Sequence, residues 1–225
     1  MDIIDAIKGR KSIRGFKPDP VPKEIIREIL EIAKWAPSAM NTQPWEYVVV
    51  TGKPLQNIRK KNAEKLHAGE SAEPEHHVMG WTNDSIYRTR QVELAKHIFR
   101  IMDIPREDKE KRAAWMERGF RYFDAPVAII IFVDKTLSET GPVLDVGAFM
   151  QNICLAALRF GLSTCIHDQG VMYPDVVKQY ANIPESKRLI IAVSIGYPDH
   201  ENIVNTIAST RESSVDNPAT WVGFP

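Results

Sequence analysis

The chain has 225 residues, 44% of them hydrophobic, with Lys+Arg and Asp+Glu balanced at 29 each. That composition supplies a substantial core and excludes a disordered chain, and the charge balance leaves no global field for nucleic acid or an acidic membrane surface. No apolar run reaches the roughly 18 residues expected of a membrane span, and the start Met1-Asp2-Ile3-Ile4-Asp5 is acidic where a signal peptide is basic. Cytoplasm is the expected compartment, and Cys154 and Cys165, in apolar surroundings, read as two buried thiols and not as a bridge.

In chain order, Asp2 can cap a short helix with Ile3, Ile4 and Ile7 on its apolar side, ended by Gly9. Arg10-Lys11-Ser12-Ile13-Arg14-Gly15-Phe16 follows at once. Its donors suit a phosphate, since Arg offers a planar fork, Lys a point charge and Ser a short donor. The alternative is a solvated basic turn. Lys23 to Trp35 has helical spacing of Ile25, Ile26, Ile29, Leu30 and Ile32, stopped by Pro37. Ser38 to Pro44 is a polar loop. Trp45 to Thr51 reads as a strand ended by Gly52, and Pro54 to about Leu66 as a helix.

His67 to Asp84 reads as a loop, with helices from Asp84 to Met102 and from Pro105 to about Gly119. Core packing is the default reading for most aromatics of this region. Val127 to Val133 is an apolar strand buried on both faces, and Gly141 to Phe160 is a central helix capped by Gly161. Ser163 to His167, Pro174 to Ala181 and Arg188 to Gly196 complete the pattern as strand, helix and strand. In the aperiodic tail, Val215, Trp221, Val222 and Phe224 need a surface to cover, on this chain or a partner. The sum is an α+β or α/β sheet domain without internal repeats, in which the middle region is an insertion.

The chemistry-bearing motifs that could be expected are mostly missing. No Gly-x-Gly-x-x-Gly follows a strand, and there is no Walker loop and no Gly-x-Ser-x-Gly elbow. His76-His77 between acidic residues could hold a metal, but a solvated loop explains it better, and no metal is expected. His167-Asp168 at a strand end could be a base and its orienting partner, or simple strand-end polarity. What remains is the anion corner, the Asn/Gln loop before Trp45, the polar strand end at His167 to Gly170, and a lone Arg211.

Together these residues resemble the FMN-dependent nitroreductase family. Arg10 to Phe16, the helix Glu24 to Trp35 and Ala36-Pro37-Ser38-Ala39-Met40-Asn41-Thr42-Gln43-Pro44-Trp45 look like its start. Asp145 to Asn152, through Ala156-Ala157 to Gly161-Leu162-Ser163-Thr164-Cys165, is similar to its central helix and next strand. Ile195-Gly196-Tyr197-Pro198 and Arg211 match its end. The resemblance covers nearly the whole chain except about residues 55–120.

It implies one nitroreductase-like α+β domain over 1–225, with a mixed central sheet surrounded by helices, about 55–120 as a helical lid, and a C-terminal tail over a dimer partner. It implies a homodimer with FMN in the subunit interface. Arg10, Lys11, Ser12 and Arg211 would meet the phosphate, and Arg14 the flavin N1/O2 edge, where a cation stabilises the reduced form. Pro37, Ser38, Ala39 and Asn41 would pack beside the ring from the other subunit, and a backbone N–H at Asp168 or Gln169 would meet flavin N5. NADH or NADPH would reduce the flavin, which would pass electrons to a small flat aromatic acceptor in a ping-pong scheme without a catalytic side chain. Trp81, Tyr87, Trp115, Arg118, Arg121 and Tyr122 would touch substrate. A reductive dehalogenase, a flavin reductase and a non-catalytic FMN-binding dimer are the alternatives. Gln43, where dehalogenases carry Glu, disfavours the first.

Overall fold

The computed structural model describes residues 2–78, 80–208, 210–211 and 214–224. Its centre is one sheet of four strands, β1 (Glu46–Thr51), β2 (Val127–Asp134), β3 (Ser163–His167) and β4 (Lys187–Gly196), in the order β1-β2-β4-β3. All three strand pairings are antiparallel. The mixed character expected of the sheet is confined to an isolated parallel bridge between Ser12 and Thr164. That bridge, with the Phe16–Pro198 bridge, lays the N-terminal segment along the free edge of β3.

Seven helices surround the sheet among the described residues: α1 (Ile3–Gly9), α2 (Lys23–Ala33), α3 (Gly52–His67), α4 (Ile86–Ile101), α5 (Lys109–Phe120), α6 (Gly141–Arg159) and α7 (Pro174–Ala181). β2 has apolar side chains on both faces because each face meets a separate core. Ile129, Ile131 and Val133 pack with α2 and α6, whereas Ala128, Ile130 and Phe132 pack with α3 and α7. α2 buries Ile26, Ile29 and Ala33, one stripe of its helical period, and turns its charges outward. By length and composition α6 alone among the described helices could cross a bilayer. Its apolarity is accounted for by the core, where Phe149, Ile153 and Ala157 are fully buried.

Three expectations change. Asp2 precedes α1 but makes no side-chain cap, leaving Ile3, Ile4 and Ile7 exposed on a short helix. The α3 part of the expected lid belongs to the layer beneath the sheet, because Leu55 and Ile58 are buried in the second core. Val215, Trp221, Val222 and Phe224 cover nothing on this chain and are all exposed.

The loop after α3 is held by a charge cluster joining distant parts of the chain. The Glu75 carboxylate accepts from Lys178 Nζ at 2.7 Å and from the Leu189 amide at 2.9 Å, and pairs with Lys135 at 2.9 Å. Lys178 is buried and also reaches Glu185. Burial pulls the Glu75 pKa up, but the bonds from Lys178, the Leu189 amide and Lys135 outweigh it and hold the group below its usual value. Its stabilisation is therefore complete above the unfolded carboxyl pKa, about 4.3, and is lost as pH falls through the lowered folded value. Glu75→Gln should cost roughly 1.5 kcal/mol at pH 7, because Glu75 is only half-buried and Lys178 keeps Glu185 as a partner. Urea unfolding of both proteins from pH 7 to pH 3 should show that gap closing on acidification; a gap independent of pH would contradict the assignment.

Candidate functional site

The Arg10–Phe16 segment is fixed by a residue that the sequence did not single out. Asn205 Oδ1 accepts from the amides of Arg14 (2.9 Å) and Gly15 (3.1 Å), while its Nδ2 donates to the carbonyls of Gly15 (2.7 Å) and Asp199 (2.8 Å). Lys11 Nζ donates to the Asn205 carbonyl. Ile13 N–H donates to Thr164 O at 3.0 Å, which completes the attachment to β3. The clamp leaves Arg10 and Lys11 on a cleft of about 340 Å³ shared with Ser163, Thr164, His200 and Thr206, a donor set suited to a phosphate. Ser12 pairs with Thr164 through its backbone and does not line this cleft, its hydroxyl lying at the Cys165 thiol.

Arg14 lies toward the opposite side of this segment, near the end of β3. Its charge acts on His167, and its carbonyl accepts from Arg118 at 2.6 Å. Arg14 thus lies within electrostatic reach of the end of β3, which the Asp168–Gln169 turn follows.

Below that turn runs a closed circuit of buried hydrogen bonds. Gly170 N–H donates to His167 Nδ1 at 3.2 Å, so this nitrogen is bare and the ring proton sits on Nε2. Nε2–H donates to Ser194 Oγ at 2.9 Å, Ser194 donates to the Tyr122 carbonyl at 2.9 Å, and Tyr122 Oη–H returns to the Gly170 carbonyl. Burial, reinforced by the Arg14 charge, pushes the His167 pKa down to about 3, so the ring is neutral and is no acid at pH 7. Burial likewise raises Tyr122, which stays a donor, and pushes the Cys165 thiol up to about 11. Gly170 has no room for a side chain, since a Cβ there would meet His167 Cε1 at 2.7 Å and Tyr122 Cε1 at 2.8 Å. Gln169 is tied down separately, its Nε2 donating to Met116 O at 3.1 Å.

The circuit depends on a strained turn. Tyr122, Phe123 and Asp124 have φ of 58°, 52° and 57°, three successive left-handed residues without glycine. Arg121 bonds Asp124, while Arg59 and Asn62 of α3 bond the carbonyls of Ala125 and Phe120 on either side.

The Pro37–Asn41 loop is strained too, with φ of 52° at Met40, 57° at Asn41 and 47° at Gln43. The Ala39 amide donates to both Asp145 carboxylate oxygens (3.2 and 3.3 Å), Ser38 Oγ accepts from the Gln43 amide, and Trp45 stacks on Phe149 at 5.0 Å. This loop therefore sits at Asp145, near the start of α6. The Arg10–Lys11 cleft is lined by Leu158, near its end. Thirteen residues of helix separate them by about 20 Å, so one chain does not bring the two sets together.

The expected substrate contacts divide. Trp81 and Tyr87 line an open cleft of about 1040 Å³ with His167, Asp168 and Arg211. Arg211 thus lies on this cleft and not on that of Arg10 and Lys11. Trp115 packs at a small core of Ile98, Val204 and Ile207, with the Arg118 guanidinium 5.3 Å over its ring. Arg118 is used on the Arg14 carbonyl and Arg121 on Glu117 and Asp124. Tyr122, expected to touch substrate, is instead fully buried beneath the Gly170 turn. Among the described residues no group of His, Cys, Asp and Glu could hold a metal.

The neutral His167 has a consequence for stability. An unfolded histidine takes up a proton near pH 6.5, while the folded one refuses it down to about 3. Stability from this group is therefore full above about pH 6.5 and falls by up to about 1.4 kcal/mol per pH unit below it. Urea midpoints measured from pH 7 to pH 4 should show a shallower acid slope in His167→Gln than in the wild type; parallel slopes would mean that the ring is protonated in the folded state.

Comparison with known proteins bears on the whole chain. Residues 7–197 match the Nitroreductase family. The chain is 36% identical over 210 residues to a nitrobenzene nitroreductase of Ectopseudomonas oleovorans, covering 93% of this chain and 92% of the relative. It is 33% identical over 215 residues to a 4-nitrobenzoate reductase of Pseudomonas putida, covering 94% and 92%. The crystal structure of an FMN and NADPH-dependent nitroreductase, NfnB from sphigopyxis sp. strain HMH, superposes with a TM-score of 0.93 at 27% identity over 100% of both chains. With its N-terminal cationic segment, central helix and β3 end following one another along the sequence, this chain belongs to the nitroreductase family.

Proposed function

We propose that this chain forms a homodimeric, FMN-dependent NAD(P)H oxidoreductase that reduces nitroaromatics, quinones or similar flat acceptors. The observation that carries the reading is the Arg10–Lys11 cleft, lined also by Ser163, Thr164, His200 and Thr206, on a segment that Asn205 and the bond to Thr164 fix against β3. Donors of these kinds fit the two ends of FMN, with cations and hydroxyls for the phosphate and a fixed positive charge for the ring edge. The similarity to enzymes named for nitrobenzene and 4-nitrobenzoate supports the acceptor class.

FMN, when bound, supplies the redox chemistry between nicotinamide donor and acceptor. The residues bind and orient. Arg10 and Lys11 hold the phosphate, and the His167–Ser194–Tyr122 circuit fixes the Asp168–Gln169 backbone. Arg14 favours the reduced, negatively charged ring. His167, held neutral, moves no proton, which agrees with a reaction that needs no acid–base side chain.

The dimer follows from the separation along α6. Two copies packed with these helices antiparallel would set each Pro37–Asn41 loop at the other's Arg10–Lys11 cleft. Trp35, Met40 and Leu144, near the loop and the start of α6, are 82%, 95% and 81% exposed, an apolar surface that a partner would cover. The exposed tail aromatics Trp221 and Phe224 suit the same partner, α4 and α5 form the lid, and the two free thiols suit a reducing cytoplasm.

The purified protein should be yellow, or become so with FMN, and should oxidise NADPH or NADH when nitrobenzene is supplied. A protein that stays colourless with FMN would overturn the reading. Arg10→Ala should weaken FMN binding tenfold or more, the loss of a charged hydrogen bond of about 1.5–3 kcal/mol. Arg14→Ala should in addition lower the flavin potential by on the order of 30 mV, equivalent to ~1.4 kcal/mol for two electrons. Equal potentials in the wild type and Arg14→Ala would refute the role given to Arg14.

A further inference from the structure

A second cleft, of about 710 Å³, runs between α4 and α5, outside the motifs that carry the family resemblance. It is lined by the apolar Val92, Phe99 and Met116 and by the cationic Arg88, Lys96, Arg100, Arg106 and Arg112. In a chain with no net charge this is a local concentration of one sign. Among the described residues no carboxylate pairs with Arg88, Arg100, Arg106 or Arg112. The hydrogen bonds of Arg88 and Arg112 go to neutral acceptors, Gln91 and the Arg106 carbonyl. Glu93, paired with Lys96, acts on Arg100 only through space, and guanidinium groups gathered without direct ion pairs are arranged for a ligand with several negative charges.

The cleft is also placed for a ligand that reaches the flavin site. Met116 lines it, and the Met116 carbonyl accepts from Gln169 of the turn proposed to face N5. One half-turn further on the same helix, Arg118 holds the Arg14 carbonyl. Arg112 lies six residues before Arg118, about 9 Å along the axis. Gln91 is common to this cleft and to the one lined by Trp81, Tyr87 and Asp168. The cleft thus adjoins the one lined by Asp168, and Arg112 lies about two helical turns before the residue that holds Arg14.

We propose that this cleft binds the phosphate-bearing part of the nicotinamide donor, with Arg100 and Arg106 on the phosphates and a preference for the donor that carries the additional 2′-phosphate. The inference rests on the NAD(P)H-dependent reading of the flavin site. A single carboxylate, as on an aromatic acid acceptor, matches four guanidiniums poorly. A pyrophosphate with a third phosphate matches them in charge and in spread.

The test uses the FMN-loaded protein and two readouts. In calorimetric titration 2′,5′-ADP should bind the wild type, more weakly as salt is raised, and should bind Arg100→Ala/Arg106→Ala at least tenfold more weakly. In steady-state assays with nitrobenzene the double variant should raise KM for NADPH at least tenfold and KM for NADH by a smaller factor, with the bound-flavin spectrum retained. Lys60→Ala, a charge removed from the exposed side of α3, should leave both constants within twofold of wild type. A wild type that does not bind 2′,5′-ADP, because a second copy or a tail seals the cleft, overturns the proposal. So does a double variant whose NADPH KM stays within twofold. Failure of the wild type to oxidise either nucleotide would instead sink the oxidoreductase reading, and the titration still decides whether the cleft takes the phosphates.

Discussion

Helix α6 sets the distance on which the site depends. Asp145 near its start holds the Pro37–Asn41 loop through the Ala39 amide, and Leu158 near its end lines the cleft of Arg10 and Lys11. A buried, hydrogen-bonded helix does not shorten, so the donors at its two ends stay about 20 Å apart in one chain. In the proposed dimer, a second copy would cover the exposed apolar residues around Trp35, Met40 and Leu144.

The same economy governs the wall of the site within one chain. The strained Tyr122–Asp124 turn is held by α3, by Ser194 of β4 and by Gly170, and in return fixes the backbone after His167. Strain of this kind persists only where several contacts over-determine it. A neutral histidine serves here because each ring nitrogen has one fixed partner, an amide donor on one side and a hydroxyl acceptor on the other. Arg14 nearby penalises a second proton and keeps it so.

Much of the fold was legible. β-Branched runs gave all four strands within a residue or two, because buried strands leave an unambiguous apolar pattern. The Arg10–Arg14 and Pro37–Trp45 stretches stand out as a candidate site through their resemblance to a family. Asn205 was not, since it lies in an aperiodic tail and acts on backbone groups 190 residues away. The Glu75–Lys178 pair, 103 residues apart, leaves no local trace either. Tyr122 was misread as a substrate contact because an aromatic close to two arginines looks the same in sequence whether it faces a cleft or the core. The left-handed turn that buries it carries no glycine to announce it.

Whether each site takes one half from each chain is tested most directly by mixing two defective proteins. One carries Arg10→Ala with Lys11→Ala, and the other Asp145→Ala, which frees the Pro37–Asn41 loop. Each alone should lose most FMN binding and activity. Unfolded together and refolded, they should regain about one quarter of the wild-type sites, because half of the random dimers are mixed and each mixed dimer contains one intact site. No recovery above the separate proteins would mean that both halves of a site come from the same chain, and would contradict a site shared between two copies.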